Sequence, residues 1–338
     1  MDKRTGKGYR RSRFLFGCIF LLGGILLVAC EPQATQQPPD RITIQIKWVH
    51  QSQFAGFYAA DQFGYYAEEG LAVTFIEGGP TVDTTESVLG GSAQFGLAGG
   101  DEHLVNRANG KPLRAIATIF RRSPLVFVAD AGLGITKPQD FVGRKILVSL
   151  NGIPTLRAMM AHVGIPQDQY AIETGPFDPA LFASGEFPIW NVYTTGSINI
   201  LEREGFDFNI IYPDDYGVHF YNDTIFATDS FLGENPELVA RFLRATLRGW
   251  QWAIENPEEA GALAVRYDTE LDHEVQVAQM KASVPLVHTG EDQIGWMRAE
   301  IWEDMYDILM EQGLLEASYN REDAYTMEFL VEIYGEEP

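Results

Sequence analysis

The feature that most constrains the fold is a regular alternation of strand-like and helix-like runs from Arg41 onward. In the first run, Ile42, Ile44 and Ile46 alternate with polar residues, which predicts a strand with one buried face. Short apolar runs of this kind recur with helical windows between them. This alternation predicts an α/β fold with mostly parallel sheets. The further strand candidates are residues 72–76, 95–98, 114–119, 125–129, 145–148, 189–193 and 209–212.

The last third of the chain has a helical pattern instead. Pro236 and Pro257 each follow an asparagine, and a capping residue before a first-turn proline is typical of a helix start. A length of 338 residues suits one large or two medium domains. The sequence therefore predicts an α/β body with a helical C-terminal region. The helix candidates are residues 84–89, 103–108, 154–163, 236–256, 257–267, 274–283, 296–312 and 322–334.

The acidic composition excludes one class of partner. The chain carries 25 Lys and Arg against 47 Asp and Glu, for a net charge of −22. Six of the cations lie before residue 14, so the rest of the chain is more acidic still. Such a surface is repelled by the phosphates of nucleic acid and by anionic membrane surfaces. We therefore predict no nucleic-acid partner.

The first 29 residues have the pattern of an export signal. A basic start precedes an uncharged apolar run from Phe14 to Ala29, which rises about 24 Å as a helix and falls short of a roughly 30 Å hydrocarbon core. Leu27 to Cys30 resembles a bacterial lipobox, although an ordinary signal with a chance cysteine is the alternative. Residues 31–40 are polar and Pro-rich, as in a tether. We predict a signal peptide at 1–29, a lipidated Cys30 with a linker to residue 40, and attachment to the extracytoplasmic face of the cell membrane.

The motifs that carry chemistry in many enzymes are missing from the sequence. The chain has two cysteines, Cys18 in the signal and Cys30 at its end, so the predicted mature body has no disulfide, thiolate metal site or cysteine nucleophile. It contains no phosphate-binding loop, dinucleotide fingerprint, nucleophile elbow or metal-ligand histidine pair. We therefore predict no catalytic residue, no metal and no cofactor.

A run rich in aromatic and amide side chains follows the first predicted strand. It reads WVHQSQFAGFYAADQFGYYAEEG, residues 48–70. Ligands of open α/β folds bind beyond the carboxyl ends of strands. There, Trp48 can stack on a flat ligand, while Gln51 and Gln53 can both donate to and accept from a heterocycle edge. The aromatic residues of the segment 54–58 also have the spacing of a helix core, and that alternative stays open.

The same run resembles a known family. KWVHQSQFAGFYAADQFGYYAEEGLAVTFIEGG, residues 47–79, is similar to the substrate-binding lipoproteins of ABC importers in the thiamine-pyrimidine-precursor binding family, a branch of the periplasmic-binding-protein fold. Residues 215–260, from DYGVHFYNDTIFATD to NPEEA, resemble it closely, and residues 90–127 resemble it more loosely. The resemblance covers essentially all of residues 42–334.

The resemblance implies a two-lobe, type II periplasmic-binding-protein fold that closes on its ligand by a hinge motion. One lobe would comprise residues 41–128 and 217–338, and the other residues 129–216. The partners would be a small-molecule ligand, an ABC permease and, through it, ATPase subunits. The residues expected to line the cleft are Trp48, Gln51, Gln53, Phe54, Tyr58, Gly99, Asp101, Glu102, Asn151, Tyr193, Thr195, Tyr216, Tyr221 and Asp223.

One departure from the family pattern bears on the ligand. Members that bind the pyrimidine precursor commonly carry a T-N-E-P type run, where this chain has Gly196 and Ser197 at the glutamate and proline positions. A carboxylate is the natural partner of an aminopyrimidine, and its loss leaves that edge poorly paired, at about 1–3 kcal/mol. The smaller residues also widen the cleft. These changes favour a larger, neutral, flat ligand with an imide-like edge, and we predict riboflavin, with the pyrimidine precursor as the alternative.

Two other classes of function are open to a chain of this kind. Intracellular relatives make the thiamine pyrimidine with a site rich in cysteine and histidine that holds iron. This chain lacks such cysteines and carries an export signal, so we predict that it is not an enzyme. The alternative of another class is a ligand-sensing protein for a separate signalling partner.

Overall fold

The computed structural model describes residues 38–175, 178–290, 292–315 and 319–335. The predicted signal at 1–29, the lipidated Cys30 and the linker as far as residue 37 lie outside the described residues, so they stay predictions. Within the described residues, no helix is both long enough and apolar enough to cross a membrane.

The described strands form two five-stranded sheets. Most of them lie within one or two residues of the predicted runs, because alternating or continuous apolar residues need a sheet face or a sheet interior to bury them. The strands are β1 (Asp40–Gln45), β2 (Leu71–Ile76), β3 (Phe95–Ala98), β4 (Leu113–Phe120), β5 (Leu125–Asp130), β6 (Lys145–Leu147), β7 (Ala171–Glu173), β8 (Ile189–Tyr193), β9 (Phe208–Ile211) and β10 (Asn222–Thr228).

Eight of the described helices lie in predicted windows, although α13 begins six residues later than predicted, and α1, α2, α6, α7 and α8 were not among those windows. Six of the described helices lie after β10, which confirms the helical C-terminal region. The helices are α1 (Ala55–Gln62), α2 (Tyr65–Glu68), α3 (Thr84–Leu89), α4 (Gly100–Ala108), α5 (Ile153–His162), α6 (Pro179–Ala183), α7 (Ser197–Arg203), α8 (Asp229–Glu234), α9 (Pro236–Glu255), α10 (Pro257–Leu263), α11 (His273–Val287), α12 (Ala299–Glu311) and α13 (Glu328–Tyr334).

The two sheets have mixed strand directions. The first sheet has the order β2-β1-β3-β10-β4, and the second has the order β7-β6-β8-β5-β9. β1 is parallel to β2 and β3, and β6 is parallel to β7 and β8. β10 is antiparallel to β3 and β4, and β5 is antiparallel to β8 and β9.

The prediction of mostly parallel sheets is therefore wrong, since half of the described strand pairs are antiparallel. The physical reason is the way in which the chain passes between the sheets. Parallel neighbours need a crossover connection, usually a helix. β5 and β10 are instead each entered by a segment that arrives from the other sheet, residues 121–124 and 212–221 respectively. β7 and β10 were not predicted, because one has three residues and the other begins with a polar Asn-Asp pair.

The second sheet is buried on both faces at its centre. Successive side chains of a strand point to opposite faces. In β5, Phe127 packs into the main core of the molecule. Its neighbours Val126 and Val128 instead pack with Trp190 and Leu201 in a separate cluster. Strand β5 belongs wholly to the second sheet, although the predicted lobe boundary at Val128 would divide it. The lobe boundaries stay a prediction.

Helix α1 packs very closely on helix α9, and two glycines make this approach possible. An added Cβ at Gly56 would lie 2.2 Å from the indole of Trp250, and one at Gly249 would lie 2.2 Å from the carbonyl oxygen of Gly56. Real Cβ atoms do not come this close to other atoms. The contact fixes α1, and with it the loop between β1 and α1 that carries the aromatic and amide residues discussed below.

Candidate functional site

A cavity lies between the two sheets, at or just beyond the carboxyl ends of five strands, β1, β2, β6, β7 and β8. This is where ligands of α/β proteins bind. The space within it, together with its open mouth, amounts to about 610 Å³. It is lined by Lys47, Trp48, Gln51, Gln53, Pro80, Leu147, Ser149, Gly175, Trp190, Asn191, Val192, Tyr193 and Gly196.

Aromatic rings are contributed to the cavity from both sheets. Trp48 follows β1 and is partly buried. Trp190 and Tyr193 both lie on β8. Trp190 is only 1% exposed, and its ring packs edge-to-face on Phe182 in the core, with ring centroids 5.6 Å apart, so the aromatic ring that the second sheet contributes to the cavity is that of Tyr193. Flat faces on opposite walls suit a flat ligand, because offset stacking is favourable for aromatic rings.

The amide side chains of the cavity are oriented by hydrogen bonds. Gln51 donates from Nε2 to Oε1 of Gln53 at 2.6 Å, and Gln53 donates from Nε2 to a carboxylate oxygen of Asp223 at 2.7 Å. On the opposite wall, Oδ1 of Asn191 accepts from the backbone N–H of Ser149 at 2.8 Å, and Nδ2 of Asn191 donates to the hydroxyl of Ser149 at 2.9 Å. Both walls therefore present fixed polar groups.

A buried ammonium forms the floor of the cavity. The side chain of Lys47 is 3% exposed. Its Nζ donates to Oη of Tyr193 at 2.8 Å and to Oδ1 of Asn222 at 2.6 Å, and it lies 3.4 Å from Oδ1 of Asp223. Burial opposes the positive charge, but Tyr193 and Asp223 together outweigh it and raise the pKa of Lys47 above its usual value. The side chain is therefore a cation at neutral pH.

The counterion of Lys47 is held in an unusual backbone conformation. Asp223 is 1% exposed, and its backbone φ is +47°. This value lies in the left-handed region, which residues other than glycine rarely adopt. Its backbone N–H donates to Oδ1 of Asn222 at 2.8 Å. Burial raises the pKa of Asp223, and Lys47 opposes that rise. Strain of this kind persists where surrounding contacts fix it, and it is concentrated at functional sites.

Two further carboxyl groups lie at the start of α4, outside the cavity lining. Asp101 accepts from the hydroxyl of Thr155 on α5 at 2.7 Å. This bond joins α4, which connects two strands of the first sheet, to α5, which connects two strands of the second. Burial raises the pKa of Asp101. Burial also raises the pKa of Glu102 to about 7; Lys47 opposes this shift, and Asp101 adds to it. Gly99 precedes the helix, and an added Cβ there would lie 2.3 Å from a carboxylate oxygen of Asp101.

The structure brings only part of the predicted set to the cavity. Trp48, Gln51, Gln53 and Tyr193 line it, and Asp223 lies directly behind Gln53. Ligand contact at these residues stays a prediction. The structure does not bring to the lining the predicted residues Phe54, Tyr58, Gly99, Asp101, Glu102, Thr195, Tyr216 and Tyr221, and the side chain of Asn151 is outside the described part of the chain.

The aromatic residues that lie elsewhere are in the core. Phe54 and Tyr58 are fully buried, and Tyr58 stacks on Tyr267 with ring centroids 3.9 Å apart. This is the helix-core alternative that their spacing left open. Tyr221 is 1% exposed, and its hydroxyl accepts from the backbone N–H of Arg298 at 3.1 Å. Tyr216 is partly buried and packs against the main core.

Several lining residues were not predicted. Lys47, Ser149, Trp190 and Asn191 were missed, although two of them carry a signal in the sequence. Lys47 follows the strand-like run ITIQI, and Asn191 interrupts the apolar run IWNVY. A polar residue inside a run that is otherwise buried needs a partner or a function. Among the described residues, no group of histidine, cysteine or carboxylate side chains is arranged to hold a metal ion.

Comparison with known proteins gives consistent relatives. The family model described as "NMT1/THI5 like" matches residues 51–260. The formylaminopyrimidine-binding protein of Halalkalibacterium halodurans is 26% identical, over 90% of this chain and 96% of that protein. The riboflavin-binding protein RibY of Chloroflexus aurantiacus is also 26% identical, over 88% of this chain and 89% of that protein. A 4-amino-5-hydroxymethyl-2-methylpyrimidine phosphate synthase of Legionella pneumophila is 26% identical over 69% and 75%, respectively.

Solved structures agree on the fold. A conserved Candida albicans gene product, described as having the generic periplasmic binding protein structural fold, superposes with a TM-score of 0.64 at 14% identity. The match covers 85% of this chain and 96% of that chain. The predicted α/β periplasmic-binding-protein fold is confirmed.

Proposed function

Because the chain belongs to the NMT1/THI5-like family, we propose that it is the solute-binding protein of an ABC importer, that it binds a flat heteroaromatic vitamin, and that this vitamin is riboflavin. The observation that carries the proposal is the cavity between the two sheets, with aromatic rings on both walls and oriented amides beside them. Two relatives are named for binding small heteroaromatic molecules, which supports the class of ligand.

The charge of the lining favours riboflavin over an aminopyrimidine. Among the described residues that line the cavity, none is a carboxylate, and the one charged group is the ammonium of Lys47. An aminopyrimidine needs an acceptor for its exocyclic amine and gains most from a carboxylate. Riboflavin presents a neutral pyrimidinedione edge, which amides can pair, and a tricyclic ring, which Trp48 can stack on.

The pyrimidine precursor is the second candidate. The similarity to the formylaminopyrimidine-binding protein is as high as that to the riboflavin-binding protein, at 26% identity each. The two ligands differ in size and in edge chemistry, so a direct binding comparison separates them.

The importer role includes three further proposals. The two sheets belong to two lobes that close on the ligand, and the chain passes between them at residues 121–124 and 212–221. Asn222 beside one passage donates from Nδ2 to the hydroxyl of Ser123 in the other, at 3.1 Å. The protein is anchored by a lipid on Cys30 at the extracytoplasmic face, and it delivers its ligand to an ABC permease.

Some relatives are named as synthases, so we also propose that this chain is a binder without catalysis. Incubation with iron and candidate substrates, followed by mass spectrometry, tests that last point, since any product contradicts it.

The main experiment is titration of riboflavin with the protein lacking residues 1–30. We expect quenching of flavin fluorescence with a sub-micromolar midpoint. Trp48→Ala should weaken binding by about tenfold or more, because it removes a stacking face. The matched control is Phe63→Ala, since Phe63 is 43% exposed and packs against Trp252, outside the cavity. Absence of quenching at tens of micromolar, with heat released on addition of an aminopyrimidine, would reverse the order of the two ligands.

A further inference from the structure

We propose that Lys47 and Gln51 together read the inner edge of the ligand, accepting a ring that presents a carbonyl next to an N–H and rejecting a ring that presents an amine. The inner edge is the one that faces the cavity floor formed by Lys47. This inference rests on the proposed function and deepens it, because it names the edge chemistry that the site selects.

Lys47 presents only the positive end of a buried ion pair to the cavity. Lys47 is a lining residue, whereas the partners of its ammonium, Asn222 and Asp223, are not part of the lining. A ligand therefore meets the cation and not the counterion. In a buried setting, such a group favours an oxygen acceptor and disfavours a hydrogen-bond donor.

The hydroxyl of Tyr193 marks the position of a ligand oxygen. Of the three groups around the ammonium, only Tyr193 lines the cavity, and it comes from the second sheet. Its hydroxyl accepts from Lys47 at 2.8 Å and donates to Oδ1 of Asn222 at 2.8 Å. A carbonyl oxygen can take over the N–H of Lys47 while Tyr193 keeps its bond to Asn222. An amine has no free acceptor for that N–H, so the exchange would leave one N–H of Lys47 without a partner, while Asn222 and Asp223 still contact the ammonium.

Asp223 fixes the hydrogen-bond acceptor that Gln51 offers to the ligand. An ionised carboxylate only accepts, so it forces Gln53 to turn its amide nitrogen toward it. The oxygen of Gln53 then faces the nitrogen of Gln51, at 2.6 Å. The oxygen of Gln51 is left pointing to the cavity, where an added Cβ on the lining residue Gly196 would lie 3.8 Å from it. A donor at Lys47 and an acceptor at Gln51 are the two kinds of hydrogen-bonding group that the carbonyl and the N–H of an imide require.

The test compares riboflavin with 4-amino-5-hydroxymethyl-2-methylpyrimidine by calorimetric titration of wild type and Lys47→Met. Loss of one charge-assisted hydrogen bond should weaken riboflavin binding by about 10- to 100-fold. Binding of the aminopyrimidine should stay the same or become tighter. Lumiflavin, which has the flavin ring without the ribityl chain, should lose affinity by the same factor as riboflavin, which localises the effect to the ring.

Two further variants control for folding. Lys47→Met leaves Asp223 buried without its cation, so Lys47→Met/Asp223→Asn removes both charges together. The double variant also releases the fixed orientation of Gln53, so it should lose riboflavin affinity at least as much as the single variant. Lys281→Met makes the same chemical change at an exposed lysine that pairs with Glu258, and it should bind both ligands as wild type does. Thermal unfolding of each variant reports whether the fold is kept.

The outcomes separate this inference from the proposed function. A folded single or double variant that loses riboflavin and lumiflavin affinity while keeping aminopyrimidine affinity supports the inference. Variants that bind riboflavin as tightly as wild type overturn it while leaving the proposed function intact. Wild type that prefers the aminopyrimidine also overturns it, since Lys47 would then face an amine. Wild type that binds neither ligand overturns the proposed function itself.

Discussion

Substitution of Gly196 should change the ligand that the cavity prefers. This glycine lines the cavity, and the sequence resemblance implies that it takes the position of a glutamate in members that bind the pyrimidine precursor. An added Cβ would lie 3.7 Å from Nε2 of Gln279 and 3.8 Å from Oε1 of Gln51, which are ordinary van der Waals distances. Gly196→Glu therefore places a carboxylate in the cavity with room for its first carbon.

The size of the effect follows from the chemistry of the lining. The described lining holds no carboxylate, so the new one is the first anionic partner for an exocyclic amine. A hydrogen bond to a charged group contributes about 1.5–3 kcal/mol, which is about 10- to 100-fold in affinity. We expect aminopyrimidine binding to tighten by this factor. Riboflavin binding should weaken, because the longer side chain fills space that a tricyclic ring would need.

The assay is calorimetric titration of both ligands against three proteins, wild type, Gly196→Glu and Gly196→Gln. The glutamine has the same shape without the charge. It should weaken riboflavin binding in the same direction without the gain for the aminopyrimidine. If the two variants bind the aminopyrimidine equally, the carboxylate makes no contact with the ligand, and the reasoning from Gly196 is refuted.

Two further predictions concern stability. Gly56→Ala should lower the free energy of unfolding by about 1–3 kcal/mol in denaturant titration, because its Cβ would meet Trp250 at 2.2 Å. The matched control is Gly233→Ala on α8, which has no atom within 4 Å and should be neutral or slightly stabilising, since alanine favours a helix more than glycine does. Equal losses in the two variants would contradict the packing argument. Burial raises the pKa of Glu102 from 4.5 to about 7, so the folded protein binds this proton more tightly than the unfolded chain, and wild type should lose up to about 3 kcal/mol relative to Glu102→Gln as the pH rises from 4.5 to 7. Unfolding curves across that range that run parallel for the two proteins would show that Glu102 does not titrate in this window.

Many elements of the fold, although not β7 and β10, were predictable because their signals are local. An apolar period of two or a short apolar run marks β1 to β6, and capping residues with first-turn prolines mark α9 and α10. The directions of β5 and β10 were not predictable in this way. They depend on where the chain passes from one sheet to the other, and no local period records that passage.

The candidate site was predictable where a residue directly follows a strand. Trp48, Gln51 and Gln53 come after β1, and strand ends meet at one edge of a sheet, so their place in the cavity follows from the sequence. Trp190 and Asn191 lie within β8, where side chains normally pack into the core. They are among the residues that line the cavity only because one sheet packs against the other, and the sequence does not record that packing. Phe54 and Tyr58 were predicted to line the cavity but lie in the core, because their helical spacing fits either position.

The position of β10 constrains the order in which the molecule can form during synthesis. This strand sits between β3 and β4, so the first sheet is divided into two pieces until Asn222–Thr228 has left the ribosome. All strands of the second sheet lie between Leu125 and Ile211 and emerge earlier. A growing chain makes its elements available from the N-terminus at about 5–20 residues per second. The second sheet, which begins later in the chain, is therefore the first that can be completed. Truncation before residue 222 leaves the first sheet without the strand that joins β4 to β3.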